Sequence, residues 1–257
     1  MTAPFGRRSA AVVGREEVGA YVVVAVDDPQ GRAHPPAPGQ FYMLAAAEHW
    51  GAGEGERPFL ARACSVLDAA GGRLRFLLED VGPGTRRLSR LRVGEEMWLT
   101  GPLGVGFTWP AGPALVVAGG VGIAAVAAVQ RAFGCPALLG FRDARHAAGA
   151  SLLRDASVAT DDGSVGHHGL VTELLEAELD RAGDAPPTLY ACGPPAMLEA
   201  VRALCVRRRI RAELALEAPM ACGFGACYGC VVATRDGYRR VCVDGPVFDA
   251  AVLEAVA

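Results

Sequence analysis

The sequence contains no lysine and no asparagine, so all 25 of its Lys-plus-Arg cations are arginines. Together with abundant alanine, glycine and valine, this bias is typical of a GC-rich genome and carries little information about function. Positive charge is not in excess either, because the 257-residue chain has a formal net charge of −3. This balance gives no indication of a nucleic-acid-binding surface and is typical of a globular protein.

A long, uninterrupted apolar run is also missing. Residues 99–130 carry no charge, but three prolines and repeated glycines interrupt them. A membrane-spanning helix needs about 20 continuous apolar residues, so this stretch predicts a strand, a turn and a helix instead. Residues 1–10 contain no apolar core of a signal peptide. We therefore expect a cytoplasmic protein, in which clustered cysteines are more often metal ligands than disulfides.

Four of the eight cysteines lie within 21 residues, in the spacing C-x4-C-x2-C-x11-C. They are Cys222, Cys227, Cys230 and Cys242. This is the plant-type spacing for a [2Fe–2S] cluster. The glycines and alanines between them allow the backbone to wrap closely around a metal centre. Zinc is the alternative, but zinc ribbons typically use two C-x2-C pairs and this sequence has only one.

The N-terminal part of the chain predicts an all-β domain. Short β-rich runs, such as residues 21–26 and 40–44, are separated by turns of glycine, proline and aspartate, which is typical of a barrel or a sandwich. From about residue 113 onward strands alternate with helices, and this predicts a parallel, doubly wound sheet. We therefore predict an α+β protein of several domains: an antiparallel β-barrel at 1–108, an α/β domain at 109–212 and a loop-rich, cysteine-bearing module at 213–257.

A glycine-rich segment lies between the first predicted strand and the first predicted helix of the α/β domain. Its glycines are Gly119, Gly120 and Gly122. Glycine at this point lets the backbone approach a phosphate, whose charge is favoured at a helix N-terminus. The full G-x-G-x-x-G pattern is absent, so a tight turn without a ligand remains the alternative.

A carboxylate suited to a ribose follows the second strand of this domain. Asp143 lies 21 residues after Gly122, where an acidic side chain can bind a ribose 2′-hydroxyl. Arg142 and Arg145 flank it and would instead attract a 2′-phosphate. These residues leave NAD and NADP both open.

The third strand of the α/β domain ends in Cys192, Gly193 and Pro194. Ligands of open α/β sheets bind at the carboxyl ends of strands, so this segment is a candidate contact for a nicotinamide. A small, buried cysteine without a ligand is the alternative.

In the β-rich part, Arg62 and Ser65 lie on one predicted strand, and Gly84 and Thr85 lie in a glycine-rich turn. An arginine and a set of turn N–H groups together can clamp a pyrophosphate. The alternative is a surface arginine beside an ordinary turn.

The order of these segments resembles the ferredoxin–NADP reductase superfamily. The matching segments are PGQF at 38–41, RACS at 62–65, GT at 84–85, GPLG at 101–104, GGVG at 119–122 and CGP at 192–194. The tail is more specific. Its segments MACGFGACYGC at 220–230 and RVCVDGPVF at 240–248 are similar to the electron-transfer subunits of class 1B dihydroorotate dehydrogenases, which TDDGS at 160–164 also fits.

That resemblance implies FAD in the barrel, NAD(H) on the α/β domain and a [2Fe–2S] cluster facing a catalytic partner. The implied partner is the FMN-containing dihydroorotate dehydrogenase catalytic subunit, in a heterotetramer with two copies of each chain. Electrons from dihydroorotate would pass through the cluster and FAD to NAD+, as part of pyrimidine biosynthesis. No residue of this chain is expected to act as an acid or base on dihydroorotate.

The resemblance also assigns roles to residues. Those implied to contact FAD are Arg62, Ala63, Cys64, Ser65, Leu77, Leu78, Glu79, Gly84 and Thr85, and the iron ligands are Cys222, Cys227, Cys230 and Cys242. The chain departs from the family pattern at Ala63 and Cys64, where proline and an aliphatic residue are usual. It departs again at Glu79, where arginine is frequent, and at Ala118, where a further glycine is expected.

Two other functions remain as hypotheses. One is an NAD(P)H-linked reductase subunit of a complex in sulfide, sulfite or hydrogen metabolism. The other is a zinc-stabilised nucleotide-binding protein without redox activity. If the chain transfers electrons, we expect its partner to dock around Phe224, Tyr228 and residues 244–248.

Overall fold

The structure is a computed structural model that describes residues 6–51 and 58–254. Six antiparallel strands of the N-terminal part close into a barrel in the order β1-β2-β5-β4-β3-β6. They are β1 (Arg7–Val18), β2 (Tyr21–Asp27), β3 (Phe41–Ala46), β4 (Arg62–Ala70), β5 (Arg73–Glu79) and β6 (Glu96–Leu103). The predicted antiparallel barrel is therefore confirmed.

Strand β1 is not predicted by the sequence pattern. Only three of its twelve residues, Ala10, Val12 and Val18, are buried, and most of the others are exposed. Its apolar run, residues 10–13, is short and lies between arginines and glutamates, although the strand pairs with both β2 and β6 to close the barrel.

The expected turn at residues 82–85 is in fact the start of a short helix, α1 (Pro83–Ser89). Pro83 occupies the first turn, where a missing N–H costs nothing, and Leu88 is fully buried against the barrel. The two glycines around Pro83 favour a turn when the sequence is considered alone, and the burial of Leu88 outweighs that preference.

The second part of the chain forms a seven-stranded sheet in the order β10-β9-β8-β7-β11-β12-β15. Its strands are β7 (Ala114–Gly119), β8 (Ala137–Phe141), β9 (Ala156–Thr160), β10 (His167–His168), β11 (Thr188–Cys192), β12 (Ala212–Ala215) and β15 (Val247–Asp249). The sheet is parallel except for β15, as predicted. The strand order reverses beside β7, between β8 and β11, which is where open α/β sheets bind ligands.

Helices connect these strands and cover the sheet. They are α2 (Ile123–Phe133), α3 (Ala144–Ala147), α4 (Val171–Ala182) and α5 (Pro195–Arg208), with short 3-10 helices at Pro29–Arg32, Gly120–Gly122 and Ala148–Leu152. Helix α2 is apolar on nearly every side because it lies between the sheet and barrel strand β4. None of the described helices combines the length and hydropathy that a membrane crossing requires.

The C-terminal segment is more ordered than a loop-rich tail. It contains a hairpin of β13 (Val231–Thr234) and β14 (Gly237–Arg240), and the short helix α6 (Val241–Asp244). Strand β15 then pairs with β12 at the edge of the sheet. The predicted boundary at 212/213 falls at the beginning of β12, so the segment is anchored in the α/β sheet. The three-part division of the chain remains a prediction.

Thr108 lies between the barrel and the sheet and forms hydrogen bonds with two residues of the sheet. Its backbone N–H donates to Glu213 Oε2 at 2.9 Å, and its hydroxyl donates to Glu213 Oε1. Tyr190 Oη in turn donates to the carbonyl of Thr108 at 2.8 Å. Glu213 is only 5% exposed, so these bonds replace the water that its carboxylate loses.

We expect Thr108→Val to lower the free energy of unfolding by about 1–3 kcal/mol, because it leaves a buried carboxylate oxygen without its hydroxyl donor. Urea unfolding followed by circular dichroism measures the change. Thr100→Val, at a half-buried position of β6, is the control. Equal stability of the two variants would contradict this role for Thr108.

Candidate functional site

The four clustered cysteines converge at the end of the barrel. Cys230 and Cys242 are 3% and 2% exposed, and the N–H of Val241 donates to the carbonyl of Cys230 at 2.9 Å. Cys222 is half-buried and Cys227 is exposed. The thiols of Cys222 and Cys227 are close enough to influence each other's ionisation, and so are those of Cys230 and Cys242. The cage therefore has one inner pair and one outer pair of sulfurs.

Backbone N–H groups point at these sulfurs. Burial opposes ionisation of Cys222, but N–H groups of the loop, including those of Phe224 and Ala226, lower the pKa of its thiol to about 6. Gly229 N–H donates to Cys227 Sγ at 3.4 Å. Such donors stabilise thiolates, and thiolates are the form in which cysteine binds a metal.

In the inner pair the surrounding protein disfavours the thiolate instead of stabilising it. Burial and the neighbouring Cys230 raise the pKa of Cys242 to about 12. Two sulfur anions at short range repel each other, and positive charge between them would remove that cost.

The arrangement in pairs fits a two-iron cluster. A [2Fe–2S] cluster is held by four cysteines, two on each iron, which matches an inner and an outer pair. The cysteines present therefore fit the cluster that their spacing predicts.

The loop between the first two cysteines requires glycine. Gly223 and Gly225 have φ of +79° and +85°, and a Cβ on them would lie 2.5 Å from Met43 Cγ and 2.7 Å from Val243 Cγ2. Glycine has no Cβ penalty at positive φ. The loop can therefore turn its N–H groups inward while it packs against the barrel.

A cavity of about 410 Å³ opens beside this loop, and we call it the barrel cavity. It is bounded by strands β4 and β5, the start of α2 and the segment that leads to the cysteines. Among the residues assigned to FAD by resemblance, those that line it are Ala63, Cys64, Ser65, Leu77, Leu78, Glu79 and Thr85. Its volume is within the range of cofactor pockets, about 300–1,000 Å³.

Arg62 and Gly84 lie next to one another beside this cavity. A Cβ on Gly84 would come within 2.3 Å of Arg62 Nε, so the guanidinium lies directly over a position that only glycine fits. The hydroxyl of Thr85 accepts from the N–H of Val81 at 3.1 Å and donates to the carbonyl of Gly82 at 3.2 Å. A guanidinium over a bare backbone is an arrangement that fits a pyrophosphate.

A second cavity, of about 460 Å³, lies along the carboxyl ends of β11, β7, β8 and β9, and we call it the sheet cavity. Gly119, Gly120 and Pro194 line it, as do Arg142 and Asp161. It lies at the reversal of strand order, where a dinucleotide is expected.

Other predicted nucleotide residues have different positions. Gly122 lines the barrel cavity, and a Cβ on it would lie 2.5 Å from the carbonyl of Cys192. Cys192 is buried and Gly193 packs against the amide of Gly119; neither lines the sheet cavity. Burial raises the pKa of the Cys192 thiol, which keeps it protonated.

Asp143 also does not line the sheet cavity. Its Oδ1 accepts from the backbone N–H of His146 at 2.9 Å and contacts His146 Nδ1 at 2.6 Å. Asp143 therefore caps α3 and orients His146, which does line the cavity. A direct bond from Asp143 to a ribose remains a prediction.

Glu217 is the functional candidate that sequence reasoning missed. It lines both the barrel cavity and the sheet cavity, five residues before Cys222. Its side chain is accessible through the cavities, yet the protein around it raises the pKa of the carboxyl by desolvation. No motif marks this glutamate, because its position depends on how β12 meets the barrel.

Comparison with known proteins identifies the family. Residues 217–254 match the iron–sulfur cluster binding domain of dihydroorotate dehydrogenase B. The dihydroorotate dehydrogenase B (NAD(+)) electron transfer subunit of Clostridium acetobutylicum is 34% identical over 82% of this chain and 83% of its own length. That of Caldanaerobacter subterraneus is 35% identical over 83% of this chain and 85% of its own length. The chain belongs to the family of dihydroorotate dehydrogenase B electron transfer subunits.

Solved structures agree with this fold. The NADH-dependent reduced ferredoxin–NADP oxidoreductase studied for flavin-based electron bifurcation superposes with a TM-score of 0.79, at 23% identity, over 96% of this chain and 90% of that chain. A ferredoxin–NADP+ reductase from Neisseria gonorrhoeae with bound FAD and NADP has a TM-score of 0.60 at 18% identity, over 78% of this chain and 91% of that chain. The predicted ferredoxin-reductase architecture is thus confirmed.

Proposed function

We propose that this chain carries electrons from a dihydroorotate-oxidising partner to NAD+, through a [2Fe–2S] cluster and FAD. The observation that carries the proposal is the continuity of the three sites. Residues Leu216 to Met220 line the barrel cavity and lead directly into Cys222, and Glu217 then borders the sheet cavity as well. One chain segment therefore connects the cysteine cage, the barrel cavity and the sheet cavity.

When bound, the cluster supplies single-electron transfer, and flavin and nicotinamide supply hydride chemistry. The chain holds and orients them. Arg62 and the backbone at Gly84 would hold the pyrophosphate of FAD, and the Gly119–Gly120 turn would accommodate that of the dinucleotide. Glu217 places a carboxyl group, whose pKa is raised by desolvation, in the wall that the two cavities share.

We further propose that the partner docks on the face of the cysteine cage. The outer cysteine, Cys227, is exposed there, and Phe224, Tyr228 and Tyr238 are 49%, 63% and 81% exposed. Aromatic residues are enriched in protein interfaces. The expectation that residues 244–248 also belong to this surface is wrong for most of that segment, because Gly245 to Phe248 are buried next to β12.

Purification of the chain with its native partner tests the function. We expect a complex that contains FMN in the partner and reduces NAD+ when dihydroorotate is added, with the FMN-containing dihydroorotate dehydrogenase catalytic subunit as the second chain. A partner without orotate-forming activity would instead indicate a reductase subunit of another complex. A cytoplasmic location is part of the proposal, and cell fractionation tests it.

Arg62→Ala should weaken FAD binding by about 10- to 100-fold, because a charge-assisted contact with phosphate contributes about 1.5–3 kcal/mol. The flavin content of the purified variant, read from its visible absorbance, measures the effect. Arg73→Ala, an exposed arginine of neighbouring β5, is the matched control. Unchanged flavin content in Arg62→Ala would remove this residue from the site.

A further inference from the structure

A polar cluster joins the barrel to the α/β sheet at one end of the sheet cavity. The barrel supplies Tyr21, at the start of β2, and Glu79, at the end of β5. The α/β part supplies Arg142 and His146, which follow β8. All four residues line the sheet cavity.

Tyr21 has a hydrogen-bonding group without a partner. The residue is 1% exposed, and its hydroxyl has no hydrogen-bond partner among the described residues. Its ring packs edge-on against His146 at 5.7 Å, which fixes its direction. Burial and the nearby Glu79 raise the pKa of the phenol, so it remains a donor. A buried, unpaired hydroxyl costs about 1–3 kcal/mol, and a ligand that accepts from it would recover this energy.

Glu79 offers the complementary acceptor. Arg142 Nη2 donates to its Oε1, and His146 Nε2 lies 3.3 Å from the same oxygen. Within the described chain no hydrogen bond uses Oε2. A donor at Tyr21 and a free acceptor at Glu79 together suit a group that both accepts and donates, such as a sugar hydroxyl.

The charges around the cavity argue against a phosphate at this point. Its lining on this side includes two carboxylates, from Glu79 and Asp161, and one guanidinium, from Arg142. The guanidinium already pairs with Glu79. Arg145, the other arginine beside Asp143, is not among the lining residues. A dianionic 2′-phosphate would therefore meet net negative charge.

The position of the polar cluster within the sheet cavity indicates which of the two riboses of the dinucleotide it faces. Pro194 and Glu217 lie at the end near β11 and β12, next to the barrel cavity, where the nicotinamide must meet the flavin. Arg142 and His146 lie beyond β7, after β8. The dinucleotide spans this distance, so the cluster faces its adenosine half.

We propose that Tyr21 and Glu79 form the subsite for the adenosine ribose of NAD(H), and that Glu79 excludes the 2′-phosphate of NADP(H). This inference rests on the proposed function, since it assumes that the sheet cavity binds the nicotinamide dinucleotide. It makes the barrel a part of the nucleotide site rather than a flavin domain alone.

Calorimetric titration of the FAD-loaded chain with NAD+ and with NADP+ tests this subsite. Tyr21→Phe should weaken NAD+ binding about two- to tenfold, the equivalent of one hydrogen bond. Glu79→Gln should narrow the preference for NAD+ over NADP+ by about tenfold, since it removes a charge next to the phosphate. Tyr42→Phe is the control for the first variant, because Tyr42 is also buried with an unpaired hydroxyl but lines neither cavity. Glu16→Gln, on barrel strand β1, is the control for the second.

Unchanged NAD+ affinity in Tyr21→Phe, or an unchanged NAD+/NADP+ ratio in Glu79→Gln, would overturn the subsite. Glu79 also lines the barrel cavity, so loss of FAD with normal NAD+ affinity would assign the cluster to the flavin's own ribose and likewise refute the proposal. Failure of the proposed function looks different: the wild-type chain would then bind no dinucleotide, or its partner would not oxidise dihydroorotate.

Discussion

We expect Cys227→Ser to abolish both the visible absorbance and the EPR signal of the cluster, which is the largest effect expected of any single substitution in this chain. Cys227 is the exposed member of the cage, so its replacement leaves the buried core intact. A serine hydroxyl does not ionise near neutral pH as a thiol in this loop does, and it is a poor ligand for iron–sulfur clusters. Electron transfer from the partner to NAD+ should fall with the cluster, to near the background rate.

The matched control for this variant is Cys135→Ala, which removes a buried cysteine outside the cage. It should retain both spectroscopic signals. NADH oxidation by an artificial acceptor, which bypasses the cluster, should survive in both variants because the two cavities are untouched. A normal EPR signal in Cys227→Ser would show that the four ligands are assigned wrongly.

Glu217→Gln is expected to slow electron exchange between the cluster and the flavin by about 10²-fold, the lower end of general acid–base contributions. Electrons arrive singly, but NAD+ accepts a hydride, so one proton must enter the flavin site in each turnover. Glu217 is a carboxyl that lines both cavities. Glutamine keeps its size and polarity without the titratable proton. Stopped-flow absorbance with the purified complex measures the rate.

The pH dependence of this rate separates proton delivery from packing. Desolvation raises the pKa of Glu217 above its ordinary value of 4.5, so the carboxyl keeps its proton to higher pH than a free glutamate. The wild-type rate should therefore be level at low pH and decline as pH rises through that raised pKa, whereas the Gln variant should lack this decline. The same decline in both proteins would mean that another group supplies the proton.

The sequence predicted the architecture well because each part has a strong local signal. The alternation of strands and helices after residue 113 identifies the parallel sheet, and the spacing of Cys222, Cys227, Cys230 and Cys242 identifies the cage. Strand β1 was not predicted because its apolar run, residues 10–13, is short and most of the rest of the strand is polar and exposed. Helix α1 was not predicted because Gly82 and Gly84 are typical of turns.

The nucleotide site was less predictable for a different physical reason. Asp143 has the expected position for a ribose ligand, but its carboxylate caps α3 and holds His146. Tyr21 and Glu79 approach the sheet cavity from the barrel, and Glu217 reaches it from the far edge of the sheet. Such contacts depend on how the two halves pack, and no local spacing encodes that packing.

We propose that one chain holds an iron–sulfur cluster next to a flavin. An absorption spectrum with iron, zinc and flavin analysis, on protein purified without air, measures both directly. We expect about two iron atoms and one FAD per chain, with the broad absorbance of a [2Fe–2S] cluster under the flavin bands. A colourless protein that contains zinc and no flavin would contradict both cofactor assignments.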